Sequence, residues 1–236
     1  MPDADRGLQD KTELRQRMDT FLARSQEPGV PYTTVVLGKE FLMLPTVFSP
    51  RYYHETAFFT EQVVRLLRAD EAYLDLGCGV GVTAVFAALH GARVTALDIN
   101  PAAVENTTVN VERHQVGERV TVAQSDVYSA LSPGQQFDTI YWNAPFAYRA
   151  EGTSLTALEE AIYDPGYRKN REFIDGAHQH LNPGGQLLLG MSSTLGDVDA
   201  VNAFAAEADL HFMQIAELIV TGAPYEIRMQ LLQARV

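Results

Sequence analysis

From residue 72 onward, short apolar runs of strand length alternate with longer segments whose apolar positions recur every three or four residues. Ala72–Leu76, Arg93–Asp98, 119–124, 136–142 and 186–191 read as strands. The intervening segments VTAVFAALHG, AAVENTTVNVERHQ and residues 168–181 read as helices; Asn100-Pro101 starts the second as an N-cap followed by proline. A helix at 197–208 leads to a sixth strand at 212–220, and a seventh at 225–234 returns after a few turn residues. So short a return permits antiparallel pairing only, because a parallel strand needs a crossover. The pattern therefore predicts an α/β fold, a doubly wound sheet of seven strands with the last antiparallel.

The chain ahead of this alternation is patterned differently. Leu14, Met18, Phe21 and Leu22 recur at helical spacing over 8–25, and Glu27-Pro28-Gly29 ends that helix. Two β-rich runs, 32–37 and 40–44, flank Gly38-Lys39, which reads as the Gly-X loop of a type II′ hairpin. VFSPRYY at 47–53 is extended, and a helix at 55–68 follows with Phe58, Phe59, Val63, Leu66 and Leu67 toward the sheet. The expected division is an N-terminal region at 1–53, with a short helix and hairpin, and a main domain at 54–236.

Composition narrows the class. At 236 residues the chain suffices for one α/β domain with a core. Its formal charge of -12 is spread along the chain and repels phosphate backbones. The one cysteine, Cys78, allows no disulfide within the chain and fits a reducing compartment. No apolar run approaches the length of a membrane span and the N-terminus is charged, so the expectation is a cytoplasmic protein.

The chemistry concentrates where strands end. After Ala72–Leu76 the chain reads Asp75-Leu76-Gly77-Cys78-Gly79-Val80-Gly81, a glycine turn that opens into a helix. Such a turn brings backbone N–H groups and a helix N-terminus against a ligand. Asp98 closes the next strand about twenty residues later, where doubly wound folds place the acid that accepts from a ribose. A nucleoside-containing cofactor follows. A dinucleotide fingerprint would need glycine where Val82 stands, which argues against nicotinamide chemistry. The G-x-G-x-G pattern behind Asp75 instead resembles the first motif of class I S-adenosylmethionine (SAM) methyltransferases, of the methyltransferase small domain type, whose sheet is Rossmann-like with the last strand reversed. The resemblance implies SAM as cofactor, with Asp75 near its methionine amino group, Gly77, Cys78, Gly79 and Gly81 facing it, Asp98 with Ile99 at the ribose, and Asp126 with Val127 at the adenine. The alternative for Asp126 is an N-cap of the turn at 127–131.

Asn143-Ala144-Pro145-Phe146 resembles the N-P-P-[YF] motif of methyltransferases acting on nitrogens conjugated to a planar system, such as glutamine amides and exocyclic base amines. It departs from that motif at Ala144. The resemblance implies that Asn143 accepts from the acceptor N–H, that Asn143 also borders SAM, that Pro145 shapes the turn, and that Phe146 stacks on the planar group. The V-x-x-P segment Val47 to Pro50 is similar to one that covers the active site in release-factor glutamine and small-subunit rRNA guanine methyltransferases, which brings Phe48 to the substrate. Glu55-Thr56 or Thr60-Glu61 stands for the acid-Thr-Glu cluster of the glutamine enzymes. The insertion at 147–167 is long enough for a lid or binding loop, and Tyr148, Arg149, Tyr163 and Tyr167 are its candidate contacts; its middle, 155–162, alternatively forms a covering helix. No histidine spacing points to a metal. The acidic surface and the absence of long recognition domains favour a small-metabolite nitrogen as acceptor, with no duplex nucleic acid and no membrane as partner. The alternatives are a protein glutamine or rRNA base N-methyltransferase, a nicotinamide oxidoreductase, and an inactive SAM-binding protein.

Overall fold

The computed structural model describes residues 29–220 and 227–236, together with Gln16, Asp19, Thr20, Leu22 and Ala23. Most of the first expected helix, including Leu14, Met18 and Phe21, lies outside the described residues, as do Glu27 and Pro28 that were expected to end it. β1 (Tyr32–Val36) and β2 (Lys39–Met43) form an antiparallel hairpin in which Val36 pairs with Lys39. Its loop is therefore Leu37-Gly38, one residue earlier than expected. Both loop residues have positive φ, 48° and 77°, the signature of a type I′ rather than a type II′ turn.

α1 (Glu55–Leu66) leads into β3 (Ala72–Leu76), followed by α2 (Val82–His90), β4 (Arg93–Asp98), α3 (Pro101–Arg113), β5 (Val120–Gln124) and β6 (Phe137–Asn143). β7 (Ala147–Arg149) and β8 (Tyr163–Pro165) bracket the insertion, and α4 (Arg168–His180), β9 (Leu181–Ser192), α5 (Val198–Glu207), β10 (Met213–Val220) and β11 (Ile227–Arg235) complete the order. Seven strands form one sheet in the order β10-β11-β9-β6-β3-β4-β5, in which only β11 runs against its neighbours. The expected α/β architecture is the one observed. The chain winds outward from β3 to β5 and then returns to β6 on the other side of β3. That reversal opens a crevice at the carboxyl ends of β3 and β6, where open α/β sheets bind ligands.

The core is the sheet itself. Tyr73, Leu74, Ile140, Leu187, Leu188 and Leu189 are fully buried, as expected of strands covered on both faces. β9 is longer than expected, because residues 182–185 stay in the strand through a register shift opposite 137–139, with Gly184 at φ 77°. The insertion is a parallel two-stranded ribbon, β7 with β8, joined through a single 3₁₀ turn at Glu159–Ala161 rather than a covering helix.

Two asparagines of α3, one turn apart, fasten the hairpin to that helix. Asn110 Oδ1 accepts from Leu42 N (2.8 Å), and its Nδ2 donates to Leu42 O (2.9 Å) and to Val80 O in the glycine turn (2.8 Å). Asn106 repeats the contact with Leu44 N and Leu42 O, both at 2.8 Å. Both side chains are fully buried and replace for β2 the partners that a third strand would supply. The hairpin thereby also holds the segment that follows it over the crevice.

Candidate functional site

A cleft of about 1130 Å³, counting the solvent at its mouth, opens at the carboxyl ends of β3, β4, β5 and β6. Asp75, Gly77, Cys78, Gly79, Asp98, Ile99, Asp126, Val127, Asn143, Pro145 and Phe48 all line it. At Gly77, φ is 60° and an added Cβ would meet Trp142 Nε1 at 2.7 Å. Glycine is thus required both by the backbone and by the indole that closes over it. Gly81, the N-cap of α2, has φ 81° and abuts Thr107, whose hydroxyl donates to Gly79 O (3.0 Å) and Cys78 Sγ (3.3 Å). Gly81 therefore shapes the turn from behind.

Three strand-end carboxylates face the cleft in distinct settings. Asp98 accepts from Gly79 N through Oδ2 and from Asn100 N through Oδ1, both at 2.9 Å. Burial raises its pKa, against the pull of those N–H groups and of Lys169. Asp75 is deeper. Its Oδ1 lies 3.5 Å from the Tyr73 hydroxyl, Oδ2 has no partner, and burial pushes the carboxyl up to about 8. A buried carboxyl with an orphaned oxygen fits a cationic amine, which would restore its charge. Asp126 is half-exposed and ion-pairs with Lys169 (3.7 Å) and Arg168 (3.8 Å). It is not the cap of the turn that follows. Ser125 Oγ accepts from Ala130 N and Ser129 Oγ from Asp126 N, each at 3.0 Å, so the Asp126 carboxylate is left to the cleft.

At the end of β6, Asn143 places Oδ1 in a buried position with no partner among the described residues. An acceptor without a donor thus sits behind the cleft wall between β6 and β9, at a cost unless a donor reaches it. The next turn is held from outside the cleft, since Ala144 N donates to Gly190 O (3.2 Å) and Asn170 Nδ2 donates to Pro145 O (2.9 Å). Phe146 does not line the cleft. It is buried with its carbonyl accepting from the Tyr167 hydroxyl (3.0 Å), which in turn accepts from Asp197 N (2.9 Å). The cleft-facing aromatic is Phe48, stacked on Tyr53 with ring centroids 3.8 Å apart.

The insertion's tyrosines are placed otherwise than expected. Tyr163 is buried, its hydroxyl donating to Asp19 Oδ1 (2.5 Å) and its ring beneath the Arg149 guanidinium (3.9 Å), which itself bonds Asp19 (2.9 and 3.0 Å). Tyr167 is buried as described, and the half-exposed Tyr148 packs beside it, also away from the cleft. These side chains support the ribbon and the start of α4, and none of them lines the cleft. The insertion reaches the cleft through Ala157, Glu160 and Ala161 instead. Of the two acid-threonine candidates, Thr56 lines the cleft, while Glu55 is buried beside it, its pKa pushed up to about 7 by burial. Thr60 is buried behind, bonded to Thr83 at 2.9 Å, and Glu61 is exposed. Trp142, Glu160 and Lys169 escaped the sequence reading. A strand-end tryptophan was the one available signal; nothing local marks an insertion acid or a helix-start lysine. Among the described residues no cluster of three or more His, Cys, Asp or Glu could hold a metal, and no helix is long and apolar enough to cross a membrane.

Comparison with known proteins bears on this geometry. The Methyltransferase small domain family pattern matches residues 38–211. Release factor glutamine methyltransferase of Geobacter sulfurreducens is 32% identical over 190 residues, covering 70% of this chain and 64% of that protein. The Salmonella typhimurium enzyme of the same name is 33% identical over 191 residues, covering 75% and 68%. The chain thus spans about two thirds of the length of these relatives. Among solved structures, the 16S rRNA N2 G1207 methyltransferase of T. thermophilus, in complex with AdoMet and guanosine, superposes with a TM-score of 0.56 at 22% identity, covering 87% of this chain and 50% of that one. The complex of aTrm5 with tRNALeu gives 0.62 at 18%, covering 88% and 53%. These names correct the expected partners. The relatives and neighbours are named for macromolecules, a release factor, an rRNA and a tRNA, against the expectation of a small metabolite and no nucleic acid. The acidic net charge describes the whole surface and does not constrain what one cleft accepts.

Proposed function

The chain belongs to the Methyltransferase small domain family, and from that premise we propose that it binds SAM in this cleft and methylates the side-chain amide nitrogen of a protein glutamine. The observation that carries the reading is Asn143, which lines the cleft and whose buried Oδ1 has no partner among the described residues. The glutamine class is supported by the relatives of about one-third identity, named for glutamine methylation, and by Thr56 at the cleft beside buried Glu55.

The residues present suit the cofactor. Asp75 offers a buried orphaned oxygen to a cationic amine, Asp98 is oriented by two N–H groups with lone pairs left for two hydroxyls, and the bare Gly77 leaves room beneath Trp142. SAM supplies an electrophilic methyl on a sulfonium, which a correctly placed nitrogen can take without a metal or a strong base. The chain's part is then placement. Asn143 Oδ1 would accept one N–H of the amide and orient the nitrogen so that its lone pair is drawn out of conjugation with the carbonyl toward the methyl; the sulfonium C–S bond would break as the N–C bond forms, and the surplus nitrogen proton would pass to water. Holding the pair in line at contact distance accounts for most of the acceleration such a site can give. Phe48 provides the face for the planar amide, and burial at Pro145 and Trp142 excludes competing water.

Two measurements test the reading. SAM at millimolar concentration should raise the melting temperature while NAD leaves it unchanged, since only a ligand of the native state stabilises. Incubation with methyl-labelled SAM and a bacterial extract should place label in protein, recovered after digestion as N-methylglutamine. Label recovered in RNA nucleosides instead would replace glutamine with a base amine.

A further inference from the structure

The insertion returns to the cofactor end of the cleft through one preformed turn. Thr156 N and Oγ1 both donate to Glu159 Oε2 at 2.8 Å, and Glu159 N donates back to Thr156 Oγ1 at 3.3 Å. This reciprocal box forms the turn locally. Three-and-four spacing then sets Ala157, Glu160 and Ala161 on one side of it, and all three line the cleft. Across from them Lys169, its side chain only 13% exposed, holds Nζ 3.4 Å from Glu160 Oε2 and 3.7 Å from Asp126 Oδ1. Lys169 is itself fixed at the start of α4, where its N and that of Asn170 donate to the two oxygens of Asp164 at 3.2 and 2.9 Å.

We propose that Lys169 is a positioning residue that fastens the insertion turn to the adenosine end of the cleft, so that one cation sets both the acceptor wall and the cofactor site. The proposal rests on the reading of Asp126 as the adenine partner. Leu155, Leu158 and Ile162 anchor the turn on its core side, while its cleft side carries only two alanines and Glu160 and has little apolar surface to hold it. The bridge to Glu160 offsets this, and its partial shielding from water strengthens it relative to an exposed pair. Phe146 is turned away, and Phe48 and the two alanines line the same cleft. Its width therefore depends on where Glu160 is held.

Hydrogen exchange of the cofactor-free protein reads the fastening directly. Lys169→Met and Glu160→Gln should each speed exchange at 156–161 by about fivefold, the upper range for a partly screened ion pair, with exchange elsewhere and the melting temperature unchanged. The double variant should exchange no faster than either single one, and Lys169→Arg should restore the wild-type rate. Wild-type exchange in Lys169→Met, or failure of arginine to restore it, overturns the bridge. Added SAM should protect 156–161 further in the wild type but not in Lys169→Met; equal protection in both overturns the coupling to the cofactor site. Because the first comparison contains no SAM, its failure is distinct from failure of SAM to bind at all.

Discussion

Gly190 lies so close to Asn143 that a Cβ added to it would meet Asn143 Oδ1 at 2.9 Å. The backbone of Gly190 is not in the left-handed region, so the glycine is required by the asparagine and not by the strand. Gly190→Ala should keep the fold and SAM affinity while displacing the amide. A shift of that kind is expected to lower kcat by roughly tenfold or more. Steady-state kinetics with the labelled protein acceptor, beside calorimetric SAM titration, checks it; a wild-type kcat would show that Asn143 tolerates displacement.

Removing the acceptor oxygen altogether is the stronger test of the same residue. Asn143→Ala should leave SAM affinity nearly constant and lower kcat by about a hundredfold or more, the scale attached to misplacing a reacting group by roughly 1 Å. Asn143→Asp should be milder, because a carboxylate still accepts from an amide N–H. Turnover of Asn143→Ala at the wild-type rate would remove the nitrogen-positioning role.

The parts of this site that were readable in advance are those whose chemistry is local. Asp98 closes its strand, and Gly77 and Gly81 sit in a turn whose positive φ and close neighbours only glycine meets. Each is announced by its own residue type next to a strand end. The hairpin loop was misplaced by one residue because Leu37 adopts a positive φ that its side chain disfavours; a glycine neighbour outweighed that preference. The motif resemblance implies a stacking face at Phe146, whereas the residue is buried off the cleft and its carbonyl accepts from Tyr167, 21 residues away in sequence. The Lys169 bridge joins residues 126, 160 and 169 from three elements, and no periodicity records such a meeting. Contacts made by the insertion are in this sense tertiary facts.

At Asp98, loss of the side chain leaves Gly79 N and Asn100 N without their acceptor, but Cys78 N–Leu97 O and Gly81 N–Cys78 O still hold the turn, so the fold should survive at some cost in stability. Asp98→Ala is expected to weaken SAM by about 1.5–3 kcal/mol, the scale of hydrogen bonds to a charged group. Calorimetric titration of the folded variant decides this, with unchanged affinity removing the ribose role.

Asn110 links the hairpin, α3 and the glycine turn through three bonds from one buried side chain. Asn110→Ala would leave Leu42 N and Val80 O without those partners, and the expected loss of stability is on the order of 3 kcal/mol. Urea unfolding should show a lower midpoint with an unchanged slope. A loss below about 0.5 kcal/mol, the range of surface substitutions, would mean that the hairpin is held by other contacts.

Asp75 connects stability and binding through one proton. Its folded carboxyl is raised to about 8 from the ordinary 3.8, chiefly by burial, so between those values the folded state binds a proton that the unfolded state has released. With more protons on the native side, stability from this group is greatest in acid and declines as pH rises from about 4 to 8. Asp75→Asn, which cannot ionise, should therefore be more stable than the wild type at pH 8 by on the order of 1–3 kcal/mol, with the gap closing toward pH 4. Binding has the opposite pH dependence. A cationic amine needs the ionised carboxylate, so SAM association below pH 8 should release a proton, and affinity should fall by up to about tenfold per pH unit as the solution is acidified from 8 to 6. Titrations in two buffers of different ionisation enthalpy measure that proton directly. A SAM affinity flat from pH 6 to 8 with no proton released would place the amine away from Asp75, and Asp75→Asn would then be expected to bind SAM as the wild type does.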